Sequence, residues 1–438
     1  MNVVFFAIVL TAFLAAGWSQ LAWDPAGGGT APMEALSTAM VDSAAGAVDL
    51  AIGLVGVMTL FLGLMKVAEA GGMLTFIARL IRPLMTRLFP DVPAEHPAMG
   101  AMILNLSANA LGLGNAATPF GIRAMQELDR LNDRPGVATD SMVLFLAINT
   151  SSVTLLPTGV IALRAAAGSA DPAAILPTTL FATLCSTAVA IIGARIYRRF
   201  FPLPPLTAAP PREAGPEAPV AVGDGAAEPL PEEAGQAYPV WISYLALATL
   251  VALIPVTVAY GEVISPWILP GLMLGFLAFG VARRVRIYEV FVEGAKEGFQ
   301  VAVRIIPYLV AILVAVGMFR ASGAMDALVS AIGGVTSGVG LPAEALPMAL
   351  LRPLSGSGAY GIMAAIINDP AIGPDSYVGY LVSTLQGSTE TTFYVLAVYF
   401  GAVQVRRLRH GLATALTADV AGIAGAVAAC SYLFGGAG

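Results

Sequence analysis

Asn105-Leu-Ser-Ala-Asn-Ala-Leu-Gly-Leu-Gly-Asn115 sets three asparagines, one serine and two glycines in the middle of an apolar run, 98–119. In hydrocarbon every unsatisfied backbone group is costly, so irregular backbone persists only where protein or a wet cavity supplies partners. Glycine permits a tight reversal, and asparagine side chains both donate and accept hydrogen bonds. The run is expected to be a re-entrant hairpin whose polar tip faces a solute. The plainer reading is a Gly/Asn packing motif that satisfies only its own turn.

The rest of the chain makes lipid the expected solvent. It is 57% hydrophobic and 11% charged, against about 25% charged in soluble domains, which need those groups to cover a wet surface. Its 438 residues allow roughly eight to ten spans of about 20 residues. A formal charge of −6 argues against a nucleic-acid partner. Cys185 and Cys430 fall in apolar runs and form no CxxC, and only His96 and His410 could join them. No metal site and no cofactor is therefore expected. The chain holds no GxSxG, HExxH or Walker A motif, and both histidines sit beside loop or basic boundary sequence, so it does not read as an enzyme.

Hydropathy gives candidate spans at 2–21, 44–65, 141–163, 174–196, 239–260, 266–283, 301–319, 378–403 and 412–434. The interrupted segments 98–119 and 346–367 read as re-entrant hairpins, and 73–90 and 324–340 as interfacial helices. No Lys or Arg precedes the first run, and Trp18-Ser-Gln-Leu-Ala-Trp23 is a poor cleavage site, so a retained helix is expected rather than a signal peptide. Residues 201–238, rich in Pro, Ala, Gly and Glu, cannot bury enough apolar surface to fold and read as a disordered linker. The expected division is a first repeat over 1–200, the linker, a connecting span over 239–265, and a second repeat over 266–438.

Basic residues orient the spans. Lys66, Arg79, Arg82 and Arg87, then Arg123, Arg130 and Arg134, then Arg195, Arg198 and Arg199, mark the inside. Arg283, Arg284, Arg286, Arg406, Arg407 and Arg409 do the same in the second block. The loops 22–43 and 368–376 carry acidic residues and no Lys or Arg, which places them outside. This puts the N-terminus and the linker in the cytoplasm and the C-terminus outside. Arg164 and Arg320 are left as single charges on the wrong side.

Three landmarks recur in order. Pro93-Ala-Glu-His-Pro-Ala-Met99 returns as Pro342-Ala-Glu-Ala-Leu-Pro-Met348, Leu106-Ser-Ala-Asn-Ala110 as Leu354-Ser-Gly-Ser-Gly358, and Asn149-Thr-Ser-Ser-Val-Thr154 as Gln386-Gly-Ser-Thr-Glu-Thr391. An odd connecting span between two even-numbered blocks turns the second upside down. The expected fold class is thus an all-α polytopic membrane protein of two inverted-topology repeats. Each repeat has about four transmembrane helices plus a re-entrant hairpin, and one extra span joins them. In such folds the solute site lies near the midplane, where broken helices meet.

The second hairpin reads Arg352-Pro-Leu-Ser-Gly-Ser-Gly-Ala359. Helix N-termini after such a break point N–H groups at an anion or carbonyl oxygen. Arg352 at that depth needs a partner, an acidic solute or Glu390, unless it forms an internal ion pair. Hydroxyls in the broken spans could merely bond back to their own helix. Glu390 is an ionisable group within a span and is the candidate coupling-ion site, for a proton or sodium; its plainer role is pairing with Arg352 or Arg304. Asp419, in the last span, is a weaker candidate, and Lys66 and Glu69 read as interfacial. The expected solute-lining set is Asn105, Ser107, Asn109, Asn115, Asn149, Thr150, Ser151, Ser152, Arg352, Ser355, Ser357, Gln386, Ser388, Thr389, Glu390 and Thr391.

The stretch from Asn105 to Met125 resembles spore maturation protein A, and Arg352 to Ala359 with Gln386-Gly-Ser-Thr-Glu-Thr-Thr-Phe-Tyr394 resembles spore maturation protein B. The chain is similar to a fusion of the two, covering nearly everything outside the linker. Both belong to the nucleoside recognition, or gate, domain family. That family is similar to the membrane gates of the bacterial ferrous-iron transporter and to concentrative nucleoside transporters. The resemblance implies a bacterial inner-membrane permease for a small polar solute, nucleoside-like or a small organic anion. A non-transporting membrane assembly or maturation factor, or a solute receptor, is the alternative. An intramembrane enzyme acting on a lipid or cell-wall precursor is a second. Homo-oligomerisation is left open.

Overall fold

The computed structural model describes residues 2–25, 29–112, 114–151, 153–203 and 238–435. The expected linker lies, over 204–237, outside the described residues, as do Ser152 and the side chains of Asn115 and Arg304. The first block contains α1 (Asn2–Leu21), α2 (Pro32–Ala70), α3 (Met73–Leu88), α4 (Pro97–Ala110), α5 (Gly114–Arg130), α6 (Asp140–Thr150), α7 (Thr158–Ala166) and α8 (Leu176–Tyr197). The second contains α9 (Val240–Ala282), α10 (Ile287–Ala321), α11 (Ala324–Thr336), α12 (Leu346–Leu351), α13 (Gly356–Ile367), α14 (Tyr377–Ser388), α15 (Thr392–Gly401) and α16 (Gly411–Phe434). No strand is present among the described residues. The protein is an all-α, multi-pass membrane protein. Among the described residues, three helices, α2, α8 and α16, are each long and apolar enough to cross a bilayer.

Local chemistry sets the helix ends. Thr139 caps α6 by accepting the Met142 N–H at 3.1 Å, and Ser355 and Ser376 do the same for α13 and α14 at 3.0 Å each. His96 caps α4 through Nδ1, which accepts the Ala98 N–H at 3.2 Å. Gly72 adopts φ +83° where α2 turns back into α3, a conformation that costs residues with a Cβ.

Two helices begin much earlier than hydropathy suggests. The acidic loop expected over 22–43 is helical from Pro32, and the span expected at 301–319 belongs to a helix starting at Ile287. Pro32 opens α2 and Glu34 lies in its first turn, both favourable at a helix start. The polar stretch of α10 is held by Lys66, which lies 3.2 Å from Glu297 and 3.6 Å from Glu69. Helix geometry here is set by helix–helix contact, to which a lipid-hydropathy reading is blind.

The two spans expected at 239–260 and 266–283 form one helical run with non-helical backbone at Tyr260 (φ −127°, ψ 18°). Ser243 donates to the Leu80 carbonyl, and Phe279 packs against Gly71. A straight helix would hold those two positions about 54 Å apart, so the run bends sharply and its arms fold back toward α3.

Helices of the first block pack antiparallel against helices of the second. Along α2 and α10, Gly63 meets Phe291, Thr59 meets Gly298 and Ser43 meets Gly317. Along α8 and α16, Tyr197 pairs with Thr417, Ser186 donates to the Ala418 carbonyl, and Ala182 lies against Gly425. The segment α6–α7 runs against α15–α14 in the same sense, with Asp140 beside Arg409 and Arg164 beside Asp375. One apolar core gathers around α7, α13, α14 and the α2–α10 pair, and a second around α4, α5, α6 and α15.

The α2–α10 approach depends on Gly294-Ala-Lys-Glu-Gly298. A Cβ at Gly298 would stand 2.7 Å from Met58 O and Thr59 Cα, and one at Gly294 2.6 Å from Leu62 O. Small residues spaced by four let helix backbones meet in membranes. Gly298→Val is expected to lower stability by about 1–3 kcal/mol through overpacking, seen as a lower thermal midpoint of the full chain in detergent. Gly271→Ala, where a Cβ meets nothing within 4 Å, leaves the midpoint unchanged.

Candidate functional site

Two broken helices cross at their unwound centres. The first stops at Thr150 and resumes at Thr158; the second stops at Ser388 and resumes at Thr392. Thr389 is fully extended (φ −145°, ψ 168°). The Glu390 N–H donates to the Thr150 carbonyl at 2.8 Å, so the breaks are joined backbone to backbone. Each helix pair brings its turn to one break. The Leu155 N–H donates to the Ala110 carbonyl at 3.0 Å, and the Phe393 N–H to the Pro353 carbonyl at 3.1 Å. Gly112 adopts φ +75°, and a Cβ there would meet the Leu156 carbonyl oxygen at 2.7 Å, which explains a glycine at that turn.

An amide network fills the first half of this crossing. Asn105 Nδ2 donates to the Ala117 carbonyl (2.7 Å) and to the Tyr399 hydroxyl (3.1 Å). Tyr399 in turn donates to Asn149 Oδ1 at 3.3 Å, and Asn109 Nδ2 reaches the same oxygen at 3.0 Å. Asn149 Nδ2 donates to its own helix at the Phe145 carbonyl (2.9 Å). Three of the expected residues therefore meet, through a tyrosine from the opposite block.

The second half is organised by Arg352. Its Nε donates to the Gln386 carbonyl at 2.9 Å and Nη1 to Thr391 Oγ1 at 3.0 Å, while Nη2 donates to the Thr389 carbonyl. Glu390 stands 3.7 Å away. Arg352 thus has Glu390 within ion-pair range, as one expectation had it, and its fork is in addition occupied by carbonyls freed by the broken helix, partners that were not expected. Glu390 is not sequestered, its side chain being 48% exposed.

The other expected residues divide by partner. Ser107, Thr150, Ser151 and Ser388 donate to carbonyls of their own helices, at Ile103, Ala147, Ala147 and Leu385. For these four the plainer reading holds. Ser355 is a helix cap, and Ser357 is half-buried in the first turn of α13. By contrast Asn105 Oδ1, Gln386 Oε1 and Asp419 Oδ1 are buried with no hydrogen-bond partner among the described residues. Such atoms are rare in folded proteins and mark unfinished bonding.

Sequence reasoning missed Tyr399 and the partner of Asp419. Asp419 Oδ2 accepts from Thr392 Oγ1 at 2.7 Å. Tyr399 lies in the apolar run Val395-Leu-Ala-Val-Tyr-Phe400. Only the need of a buried phenol for a partner could have flagged it.

Charged clasps close both ends of the crossed pair. Arg164, fully buried, donates to the Pro374 carbonyl (2.6 Å) and Asp375 Oδ1 (2.8 Å) and lies 4.5 Å above the Tyr380 ring. At the other end Arg409 donates to Asp140 Oδ1 (2.6 Å) and the Ala138 carbonyl (3.1 Å). Arg320 pairs with Asp369. The two arginines that defied the positive-inside pattern are thus each neutralised by an aspartate of the loop 368–376.

Broken helices, turn-bearing helix pairs and a buried polar crossing define a gate-type membrane protein. The family model described as "Gate: Nucleoside recognition" matches residues 51–199 and 302–406, more than half of the chain, and the chain belongs to that family. It is 45% identical over 169 residues to spore maturation protein B of Bacillus subtilis (strain 168), covering 39% of this chain and 94% of that one. It is 46% identical over 169 residues to spore maturation protein A of the same organism, covering 39% and 84%. It is thus similar to a fusion of the two. A solved structure of CNTnw, a double variant in an outward-facing state, matches 89% of this chain and 77% of its own at 12% identity and a TM-score of 0.42.

Arg352→Met would strip the donors from the Gln386 and Thr389 carbonyls. The expected loss is about 3 kcal/mol. Lysine, a point donor without the planar fork, recovers only part of it. Hydrogen exchange at 386–393 and the thermal midpoint measure both.

Proposed function

We propose that the chain is an inner-membrane permease for a small polar solute, nucleoside-like or a small organic anion, bound where the two broken helices cross. One observation carries this reading. The unpartnered atoms of Asn105 and Gln386 come from the hairpin of the first block and the broken span of the second, and both lie within the polar crossing. A solute offering donors would complete their bonding.

Antiparallel packing of each corresponding helix pair supports two repeats related by an axis in the membrane plane, with α4–α5 and α12–α13 as re-entrant hairpins and the crossing at the midplane. The Arg164–Asp375 and Arg409–Asp140 clasps then sit at opposite ends of one pathway. In this arrangement the N-terminus and linker are cytoplasmic and the C-terminus is outside. Glu390, beside the Thr150–Glu390 backbone bond and partly exposed, is the proposed coupling group for a proton or sodium ion. The second reading, a maturation factor that binds a solute without moving it, rests on the names of the two similar Bacillus proteins and on the self-satisfied hydroxyls of four expected residues.

Purified full-length protein is to be screened by thermal shift against nucleosides and small organic acids, then tested for uptake in liposomes with and without proton or sodium gradients. One class of solute is expected to stabilise saturably and to accumulate with a gradient. The coupling ion should raise solute affinity by about tenfold, and Glu390→Gln should abolish that ion dependence while retaining binding. Binding without flux would select the maturation reading, and neither binding nor flux would sink both.

A further inference from the structure

A second concavity lies away from the crossing, between α2, α10 and the C-terminal end of α13. It encloses about 730 Å³, within the range of small-molecule sites, roughly 300–1,000 Å³. Leu313 and Val316 of α10 form an apolar wall, and Ser43, Asp49, Arg320 and Asp369 supply the polar groups. Because Ser43 packs against Gly317, α2 carries the cleft away from Arg320 and toward the middle of the helix pair. Asp49, exposed in the cleft, sits six residues beyond Ser43, about 9 Å further along α2.

The charges in this cleft are not equivalent. Arg320 is held by Asp369, so that pair is internally neutral. Asp49 has neither a hydrogen bond nor an ion pair among the described residues. One cation against two carboxylates leaves the cleft with one net negative charge, located on Asp49. An uncompensated carboxylate on a membrane helix is costly and functional by default. No group of three His, Cys, Asp or Glu able to hold a metal ion occurs among the described residues, and the apolar wall offers no oxygen ligands. A complementary ligand carries one positive charge and an apolar body.

We propose that this cleft binds a small organic cation, a primary ammonium with an apolar tail, its charge on Asp49 and its tail along Leu313 and Val316. The site is separate from the crossing and does not depend on the permease reading.

Hexylammonium chloride is the probe, with hexan-1-ol and sodium hexanoate as neutral and anionic counterparts, titrated into full-length protein in detergent by calorimetry and thermal shift. Saturable binding of hexylammonium alone is expected. Asp49→Asn should weaken it by about tenfold or more, and Ala365→Leu, which narrows the cleft, should remove it while the thermal midpoint is kept. Equal binding of hexan-1-ol, which would mark a crevice for lipid tails, or an unchanged affinity in Asp49→Asn, would overturn the proposal. No transport is measured, so failure here leaves the permease reading untouched.

Discussion

A helix that stops inside a membrane leaves carbonyl and N–H groups that neither water nor lipid can satisfy, and the architecture around Thr150 and Thr389 is organised by that demand. Each orphaned buried group costs about 1–3 kcal/mol, so two breaks of several residues would together exceed the margin by which a protein of this kind is folded. The chain meets the cost by pairing the breaks with one another. The Glu390 N–H finds Thr150, the Leu155 N–H finds Ala110, and the Phe393 N–H finds Pro353. Arg352 takes two more carbonyls and a hydroxyl. Burying a guanidinium is itself expensive, and it is tolerated here because three acceptors converge on it.

Because the breaks satisfy each other, neither is stable alone, and their relative placement must be held. Placement is held at the ends. A buried ion pair adds little net stability, since desolvation offsets most of the Coulomb gain, yet breaking one is strongly destabilising. Arg164 and Arg409 are therefore better understood as register devices. Each ties the end of one broken segment to the start of the other, one at either extremity of the seam. The middle of the seam is then free to be polar without the helices sliding past one another.

The breaks were legible in the sequence because polar and small residues inside an apolar run are costly in lipid unless the helix is interrupted there and partners converge on it. Asn105, Asn149 and Gln386 were visible for that reason, and α8 and α16 run within two residues of the expected spans. Three things were hidden. The early starts of α2 and α10 rest on contacts between them, Ala39 and Ser43 against Gly317 for the first and Gly294 and Gly298 against Leu62 and Met58 for the second, and an isolated hydropathy window cannot register a partner. The carbonyl partners of Arg352 were hidden because backbone carbonyls carry no residue letter. Tyr399 was hidden because its hydroxyl is one polar atom in an apolar run, and it acts 250 positions away in sequence, at Asn149.

What remains for a solute follows from which polar atoms the fold has already used. Ser107, Thr150, Ser151 and Ser388 donate to their own helices. Recruiting them would exchange one hydrogen bond for another, so they offer a ligand little net gain. Asn149 Oδ1 already accepts from both Asn109 and Tyr399. Among the described residues, Asn105 Oδ1, Gln386 Oε1 and Asp419 Oδ1 are unpartnered acceptors, and the Thr179 hydroxyl, packed against Gly387, is unpartnered too. An acceptor-rich site discriminates for a solute that donates, through N–H or O–H groups. Arg352, a strong donor at the crossing, is engaged by carbonyls that an anion would have to displace. Under the permease reading proposed above, the bonding left open at the crossing favours a neutral, donor-bearing solute over an organic anion.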